Sequence, residues 1–183
     1  MQLHEQPDSE VARQVQSGDA AAFDELMRRY KRPVMNFVYR MLGSMEDADD
    51  IAQEVFVRVY QNLDRYRPEM KFSTWLFALA RNAAIDHWRW RKRHPTEPLE
   101  FAPQFAAPSG TAEQVNAHEI GDEIAAAVAK LPEDQRTAIV LAEYHGLSCA
   151  EVAEVMHCSE KSVESRLYRA KQTLRGYLRH LLE

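Results

Sequence analysis

The sequence has few of the features that mark an enzyme motif, an export signal or a membrane span. Only 6 of its 183 residues are glycine, no glycine-rich phosphate loop is present, and no H-E-x-x-H motif occurs. The longest apolar runs are a few residues long and the N-terminus is polar and acidic, which argues against a transmembrane helix and a secretory signal. The two cysteines, Cys149 and Cys158, are therefore expected to be reduced thiols in a cytoplasmic protein.

The chain also lacks the excess of positive charge that is typical of a protein binding nucleic acid by itself. Its net charge is −5, but the charge is unevenly distributed. Residues 81–94 contain five Lys or Arg against one Asp, and residues 159–179 contain six against two Glu. Two basic patches on an acidic body can bind phosphate locally while the whole molecule has little affinity for bulk DNA. This distribution favours a protein that binds DNA as part of a larger assembly.

The stretch from Phe72 to His94 combines an apolar stripe with a basic and polar face. Ser73 or Thr74 is predicted to cap a helix that runs for about twenty residues without Gly or Pro. Five apolar residues recur at helical spacing, namely Phe72, Leu76, Leu79, Ala80 and Ala83. Outside this stripe lie Arg81, Asn82, Asp86, Trp88 and Arg89, followed by Arg91, Lys92 and Arg93. Cations, an amide and an aromatic ring are what phosphates, base edges and unstacked bases require, although a solvated helix face with a basic last turn would have the same composition.

The stretch from Ser44 to Leu63 predicts another amphipathic helix, with an unusually acidic surface. Ser44 can cap its start, and the first turns contain five carboxylates: Glu46, Asp47, Asp49, Asp50 and Glu54. The inward stripe consists of Ala52, Val55, Phe56, Val59 and Leu63. A capped surface helix accounts for about three carboxylates in these turns but less easily for five. The surplus predicts an acidic docking surface for a basic partner.

The overall pattern predicts an all-α protein with two small helical domains joined by a proline-rich linker. We expect a first domain over residues 1–95, a linker over 96–118 and a second domain over 119–183. Four prolines between residues 94 and 118 mark the linker. In the first domain the helical pattern pauses at residues 17–19, and Pro33 is expected to begin a further helix that Gly43 ends.

The second domain contains the pattern of a helix-turn-helix. Ser148 and Glu151 form a capping box for a short helix, residues 157–159 form a tight turn, and Ser159 can cap the last helix. That last helix directs Lys161, Glu164, Ser165, Arg166 and Arg169 outward. A generic three-helix bundle can imitate this pattern, so DNA reading and a plain bundle are the alternatives at this point.

Other functions are compatible with parts of the sequence. A stand-alone helix-turn-helix regulator would bind DNA tightly without a larger assembly, which the acidic balance argues against. His145, Cys149, His157 and Cys158 lie within fourteen residues and could bind a metal or sense redox state, but their spacing matches no standard zinc pattern. An enzyme is rejected, because the carboxylates of residues 46–54 share one exposed helical face and do not converge on a cleft. We therefore expect no catalytic residue, metal or cofactor.

Three blocks together resemble the extracytoplasmic-function (ECF) group of bacterial RNA polymerase sigma factors, in the sigma-70 family. They are DADDIAQEVFVRVYQ (47–61), FSTWLFALARNAAIDHWR (72–89) and LSCAEVAEVMHCSEKSVESRLYRAK (147–171), in the family's order and spacing. The resemblance extends over roughly residues 10–180. It implies a non-enzymatic subunit that binds core RNA polymerase and directs promoter recognition, DNA melting and transcription initiation at a stress- or signal-responsive regulon.

The resemblance also implies roles for individual residues. The surface that docks on the clamp helices of the largest polymerase subunit would consist of Asp49, Asp50, Gln53, Glu54 and Arg58. Contacts with the minus-ten element, including capture of a flipped base by the loop 64–71, would come from Arg65, Tyr66, Lys71, Asn82, Asp86, Arg89, Arg91 and Lys92. Contacts with the minus-thirty-five element would come from Lys161, Glu164, Ser165, Arg166, Arg169 and Lys171. The second domain is expected to contact the flap of the second-largest subunit, and an anti-sigma factor is a further expected partner.

The sequence departs from the family pattern in two places. Ala78 and Leu79 replace the tryptophan pair by which primary sigma factors help to melt the duplex, which suggests stricter dependence on a good promoter. His157 occupies a turn position that is commonly Gly. Because a left-handed backbone costs a non-glycine residue about a kcal/mol, we expect the turn to be locally altered.

Overall fold

In the computed structural model, residues 3–94 and 112–181 are described, with side chains of the second part described from residue 120. The α-helices are α1 (Asp8–Gln16), α2 (Ala20–Leu42), α3 (Met45–Asn62), α4 (Phe72–Arg93), α5 (Ala112–Ala129), α6 (Glu133–Ile139), α7 (Cys149–Met156) and α8 (Glu160–Tyr177). A π-helical turn, Val140–Tyr144, extends α6, and short 3₁₀ turns lie at Leu3–Glu5, Leu63–Arg65 and Arg179–Leu181. No β-strand occurs in these two described parts of the chain, so the all-α prediction is confirmed.

Helix α2 is continuous, and the predicted interruption at Pro33 is wrong. The side chain of Asp19 accepts hydrogen bonds from the backbone N–H groups of Ala21 and Ala22 at its start, and Gly43 ends it in the left-handed conformation. A proline inside a helix removes one backbone hydrogen bond and costs roughly 3 kcal/mol. Val34 directly after it is fully buried, as are other side chains of this helix, and their burial offsets that cost.

Helices α2, α3 and α4 pack together, with α1 against α2, and their buried residues belong to a hydrophobic cluster that continues into α5, α6, α7 and α8. The predicted inward stripe of α3 is confirmed, since all five of its residues are buried. Ser44 caps α3 by accepting a hydrogen bond from the backbone N–H of Asp47 at 3.2 Å. Burial of this stripe leaves Asp49, Asp50, Gln53 and Glu54 on the solvent side of α3.

Helix α4 begins earlier than the sequence predicts. Phe72 is its first residue, Lys71 is the N-cap without a side-chain hydrogen bond, and neither Ser73 nor Thr74 caps the helix. The ring of Phe72 packs against Tyr30, Tyr66 and Trp75 at centroid distances of 5.4–5.8 Å. Burial of this aromatic cluster outweighs the weaker local preference of a hydroxyl cap.

Helix α4 is also buried on a second side that its apolar stripe did not predict. Phe77, Ala84 and Ile85 are buried, and they lie outside the predicted stripe. The second domain packs there, with α7 against α4 and α6 against α2. The extra burial therefore comes from contact between the two domains.

The second domain contains the predicted helix-turn-helix. The capping box is complete, because the hydroxyl of Ser148 accepts from the Glu151 N–H and the Glu151 carboxylate accepts from the Ser148 N–H at 2.8 Å. Ser159 caps α8. Helix α5 begins at Ala112, within the stretch predicted as linker, and the prolines of that linker lie outside the described residues. Within those residues, none of the helices is long and apolar enough to cross a membrane.

Candidate functional surfaces

The acidic surface of α3 is exposed as one continuous face. Asp49, Asp50, Gln53 and Glu54 are exposed. The Gln53 amide donates to the Asp49 carboxylate at 2.8 Å, and Arg58 forms an ion pair with Glu54. Because Arg58 and Glu54 largely neutralise each other, Asp49 and Asp50, together with the exposed Glu46 one turn before them, supply the net negative charge of this face.

An apolar groove adjoins the acidic surface, and sequence reasoning missed it. It is lined by Phe23, Met27, Gln53, Phe56, Val57, Tyr60 and Gln61. The side chains of Val57 and Tyr60 are 54% and 66% exposed, and the Tyr60 ring meets Phe23 edge-on at 5.2 Å. Exposed apolar side chains that form a contiguous patch mark an interaction site more often than single ones do. The available signal was the presence of Val57 and Tyr60 outside the inward stripe.

The loop between α3 and α4 contains three residues predicted to contact the minus-ten element, and they differ in exposure. Arg65 and Lys71 are exposed, and Lys71 forms an ion pair with Glu151 of α7 at 2.7 Å. Tyr66 was predicted to be accessible to DNA, but it is buried. The residue is only 3% exposed, and its hydroxyl donates to the Met70 carbonyl at 3.0 Å. Burial raises the pKa of the Tyr66 phenol. In this structure Tyr66 shapes the loop from inside, so the predicted contact with DNA would require the loop to rearrange.

The polar face of α4 presents a cationic groove. Asn82, Asp86, Arg89 and Lys92 are exposed, and the last three line a groove with Arg93. Arg91 differs from its neighbours, since it pairs with Asp47 of α3, whose carboxylate also lies 3.2 Å from His87. Arg91 is therefore engaged in holding α4 to α3, whereas Arg89 and Lys92 are open to solvent.

The exposed aromatic ring at this end of α4 is Trp90, not Trp88 as the sequence suggested. Trp88 is half-buried, and the Lys92 ammonium lies 4.6 Å from its ring centroid. Trp90 is 50% exposed and stacks on His94 with centroids 5.0 Å apart and an interplanar angle of 24°. A flat exposed ring beside cations is a suitable surface for stacking an unpaired base.

Helix α8 carries the second basic surface. Lys161, Glu164, Ser165 and Arg169 are exposed, as the outward face of a helix-turn-helix requires. Several of these residues line a groove with Pro132, Asp134 and Gln135 at the start of α6. The second helix of the motif is therefore accessible over its first three turns.

Two cations of this surface have partners within the protein. The Arg166 guanidinium is 3.0 Å from Asp134 and 2.9 Å from the Cys158 sulfur. Lys171 forms an ion pair with Glu143 at 2.7 Å, with both side chains about half exposed. Exposed pairs of this kind contribute little stability, so Lys171 can exchange Glu143 for a phosphate at small cost.

The turn of the helix-turn-helix keeps its left-handed residue although that residue is not glycine. His157 has φ 51° and ψ 49°, and it alone among the described non-glycine residues has a positive φ. The expectation of a locally altered turn is therefore wrong. The N–H groups of His157 and Cys158 bond to the carbonyls of Glu154 and Ala153, and these bonds hold the strained residue in place.

The four His and Cys residues around the motif do not come together. No group of three or more His, Cys, Asp or Glu side chains in the described ranges could hold a metal ion. His145 faces the first domain instead, between the rings of Phe37 and Phe77. Burial, and secondarily the charge of Arg40, lowers the pKa of His145 to about 4.

The chain matches known protein families over most of its length. Residues 26–94 match the Sigma-70 region 2 family, and residues 121–174 match the Sigma-70, region 4 family. The ECF RNA polymerase sigma factor SigW of Bacillus subtilis is 37% identical over 180 residues, covering 92% of this chain and 95% of its own. The RNA polymerase sigma-H factor of Pseudomonas aeruginosa is 34% identical over 189 residues, covering 98% of both chains.

Solved structures show the same fold. The structure of CnrH in complex with the cytosolic domain of CnrY has a TM-score of 0.72 and 27% identity, covering 94% of this chain and 97% of that one. The sigma factor RpoE from Bartonella quintana, solved with the anti-sigma factor NepR, has a TM-score of 0.73 and 22% identity over 86% and 96% of the two chains. With two family matches in the family's order and relatives similar along their whole length, the chain belongs to the ECF group of sigma-70 family RNA polymerase sigma factors.

Proposed function

We propose that this sigma factor is a non-enzymatic subunit whose first domain docks on core RNA polymerase and reads the minus-ten element, while its second domain reads the minus-thirty-five element. The observation that carries the proposal is the placement of three accessible surfaces: the acidic face of α3, the cationic groove of α4 and the outer face of α8. Core polymerase and promoter DNA are its partners, and it works where they are, in the cytoplasm.

The docking surface combines the acidic face with the neighbouring apolar groove. Asp49 and Asp50 supply charge that steers a basic partner helix, and Val57 and Tyr60 supply apolar area that becomes buried on contact. Charge alone would give an interface that salt dissociates easily. Burial of the groove adds an apolar contribution that salt does not screen, which supports docking at physiological ionic strength.

The two DNA-reading surfaces contribute in different ways. Asn82 and Asp86 can bond base edges from the middle of α4, while Arg89 and Lys92 bind phosphate. Trp90 extends this surface with a ring on which a base can stack. On α8, Arg169 and Glu164 read base edges, and Lys161 and Lys171 neutralise phosphate.

An anti-sigma factor is the proposed regulatory partner. The RpoE structure contains such a factor, NepR, and the sequence resemblance led to the same expectation. A regulator of this kind acts by competing for the surfaces that bind polymerase and DNA.

Binding to purified core polymerase tests the proposal. We expect tight binding by the wild type and at least about a 100-fold loss in the Asp49→Lys/Asp50→Lys variant, because two charges at the docking face are reversed. The variant Glu5→Lys/Glu154→Lys changes the net charge equally at exposed residues elsewhere and should bind normally. Absence of core binding, together with salt-resistant binding of the protein alone to specific duplex DNA, would support a stand-alone regulator instead.

A further inference from the structure

The last residue of α1, Gln16, supports the loop of residues 63–71 between α3 and α4. Its side-chain amide nitrogen donates to the Leu63 carbonyl at 2.7 Å and to the Tyr66 carbonyl at 3.2 Å. Among the described residues, no other side chain from outside this loop hydrogen-bonds to the loop backbone. An amide NH₂ group has two donor hydrogens, so one glutamine can hold two carbonyls at a fixed separation.

Helix α1 is a firm support for this contact. Val11 and Ala12 are fully buried, and Arg29 of α2 donates to the Asp8 carboxylate at the start of α1 at 2.6 Å. Helix α1 packs against α2 and against the start of the loop. The position of the Gln16 amide is therefore set by the packing of α1 and not by the loop that it bonds.

Tyr66 continues the support inside the loop. Its ring packs against the rings of Phe72 and Trp75, with the centroids 5.5 Å apart in each pair. Its hydroxyl donates to the Met70 carbonyl at 3.0 Å, and its own carbonyl accepts from Gln16. The two side chains together hold the loop backbone at its start, its middle and its end.

The supported backbone carries exposed polar side chains. Asp64 and Arg65 lie between the two carbonyls that Gln16 bonds, and residues 67–69 follow in the second half of the loop; all five are exposed. Guanidinium groups bond base acceptors and phosphate, and carboxylates accept from base amino groups. An unpaired base is recognised by such bonds to its Watson–Crick edge. A loop that is ordered before binding does not lose this entropy on contact, so its affinity is higher.

We propose that Gln16 is a positioning residue for promoter recognition, and that its two hydrogen bonds keep the loop in the shape that receives an unpaired base of the minus-ten element. This role rests on the proposed function, because the loop has a base to receive only if the protein reads promoter DNA. Gln16 acts through the Leu63 and Tyr66 carbonyls, and the exposed loop residues make the contact with the base.

The exposure of Gln16 separates this role from support of the fold. Gln16 lies at the surface, so water can replace its hydrogen bonds when the amide is removed. Water does not fix the separation of two carbonyls. Loss of the amide should therefore change base selection more than it changes the free energy of unfolding.

Selection from a randomised minus-ten element tests the role without a known promoter. The probe is forked DNA with a duplex upstream arm and random single-stranded minus-ten positions, bound by core polymerase with the full-length sigma factor. We expect the wild type to enrich defined bases. Gln16→Leu, which has no donor, should lose the preference at the position that the loop reads and keep the preferences read by Asn82 and Asp86.

Two further variants sharpen the selection. Gln16→Glu has nearly the same shape, but its carboxylate accepts hydrogen bonds and cannot donate to the two carbonyls, so it should show the same loss as Gln16→Leu. Gln14→Leu is the matched control, because it removes an amide from the same helix that bonds the Gln6 side chain and not the loop. This control should retain every preference of the wild type.

Removal of the base at the affected position of the selected sequence measures the coupling directly. We expect an abasic site there to weaken binding by about 10-fold for the wild-type holoenzyme and by less than about 3-fold for the Gln16→Leu holoenzyme. Affinity for core polymerase and the urea unfolding midpoint should be the same for Gln16→Leu and Gln14→Leu.

The outcomes distinguish this role from the proposed function. Unchanged base preferences in Gln16→Leu, or an equal effect of the abasic site on both holoenzymes, overturns the positioning role. Uniformly weaker binding to all sequences with a lower unfolding midpoint also overturns it, because the amide would then only support the fold. A wild-type holoenzyme that enriches no minus-ten sequence contradicts the proposed function, and the positioning role with it, whatever the variants do.

Discussion

Helix α4 buries eight of its 22 residues, whereas α8 buries two of its 18. Both helices carry a basic surface proposed to contact DNA. Helix α4 is packed by α2, α3 and α7, so it lies at the centre of the described structure and the residues proposed to contact DNA occupy a side that these helices leave open. Helix α8 lies at the periphery and is supported mainly by α6 and α7. The proposed DNA-binding role and support of the fold are thus combined in α4 and separated in α8.

Truncation of a buried leucine should show the largest difference between the two helices. Leu76 of α4 is fully buried, and Leu174 of α8 is half-buried. We expect Leu76→Ala to lower the free energy of unfolding by about 2–5 kcal/mol, and Leu174→Ala to lower it by about 1 kcal/mol. Urea unfolding followed by circular dichroism measures both. Equal losses would show that α8 supports the fold as much as α4 does.

Truncation of the exposed cations of α8 should weaken DNA binding without changing the stability of the fold. We expect Arg169→Ala to cost about 1–3 kcal/mol in holoenzyme binding to a cognate minus-thirty-five element and to relax specificity there. Lys171→Ala is the matched control, since Lys171 is proposed to neutralise phosphate and its loss should weaken binding to cognate and scrambled DNA equally. If Arg169→Ala also weakens both equally, Arg169 only binds phosphate.

Acidification should weaken the packing of α4 through His145 and leave α8 unchanged. The pKa of His145 is lowered to about 4 in the folded protein from an ordinary value of 6.5, so folding favours the neutral ring. Its contribution is complete above pH 6.5 and falls as the pH drops toward 4, by at most about 1.4 kcal/mol per pH unit. Arg40 of α2 is the charged neighbour that adds to this effect.

Unfolding midpoints of the wild type and His145→Phe, measured between pH 7.5 and pH 4.5, check this prediction. The stability of the wild type relative to the variant should decline with acidity. If the difference between the two unfolding midpoints stays constant across this range, His145 does not titrate at its position between Phe37 and Phe77.

Local signals in the sequence predicted the caps at Ser44, Ser148 and Ser159, the end of α2 at Gly43 and the inward stripe of α3. These features depend on residues close together in the chain. The errors have a different origin, because Pro33, the start of α4 and the burial of Phe77 are decided by packing between distant segments. Local patterns cannot report contacts that form only when two domains meet.

The candidate functional surfaces also divide into features that local sequence patterns predict and features that depend on packing between distant segments. Exposure of the predicted faces of α3, α4 and α8 could be inferred from periodicity, and the roles of their residues came from the family resemblance. The burial of Tyr66 could not be inferred from periodicity, because an aromatic residue in a charged loop has no periodic context that shows its orientation. The engagement of Arg91 by Asp47 also depends on the packing of α3 against α4.

The ion pair between Asp47 and Arg91 has a consequence for how binding energies combine. It links α3 to α4 where the buried residues of the two helices already pack together, so the docking face and the cationic groove belong to one rigid unit. Once the docking face has bound polymerase, the cationic groove is held near promoter DNA at a high effective concentration. Its contact with DNA then costs little further translational entropy. The surface of α8 is connected through residues 95–111 and has a lower effective concentration once the domains separate. The docking face and the cationic groove of the first domain therefore bind as two sites at a fixed, short spacing. The surface of α8 binds as a third site at the end of a longer connection.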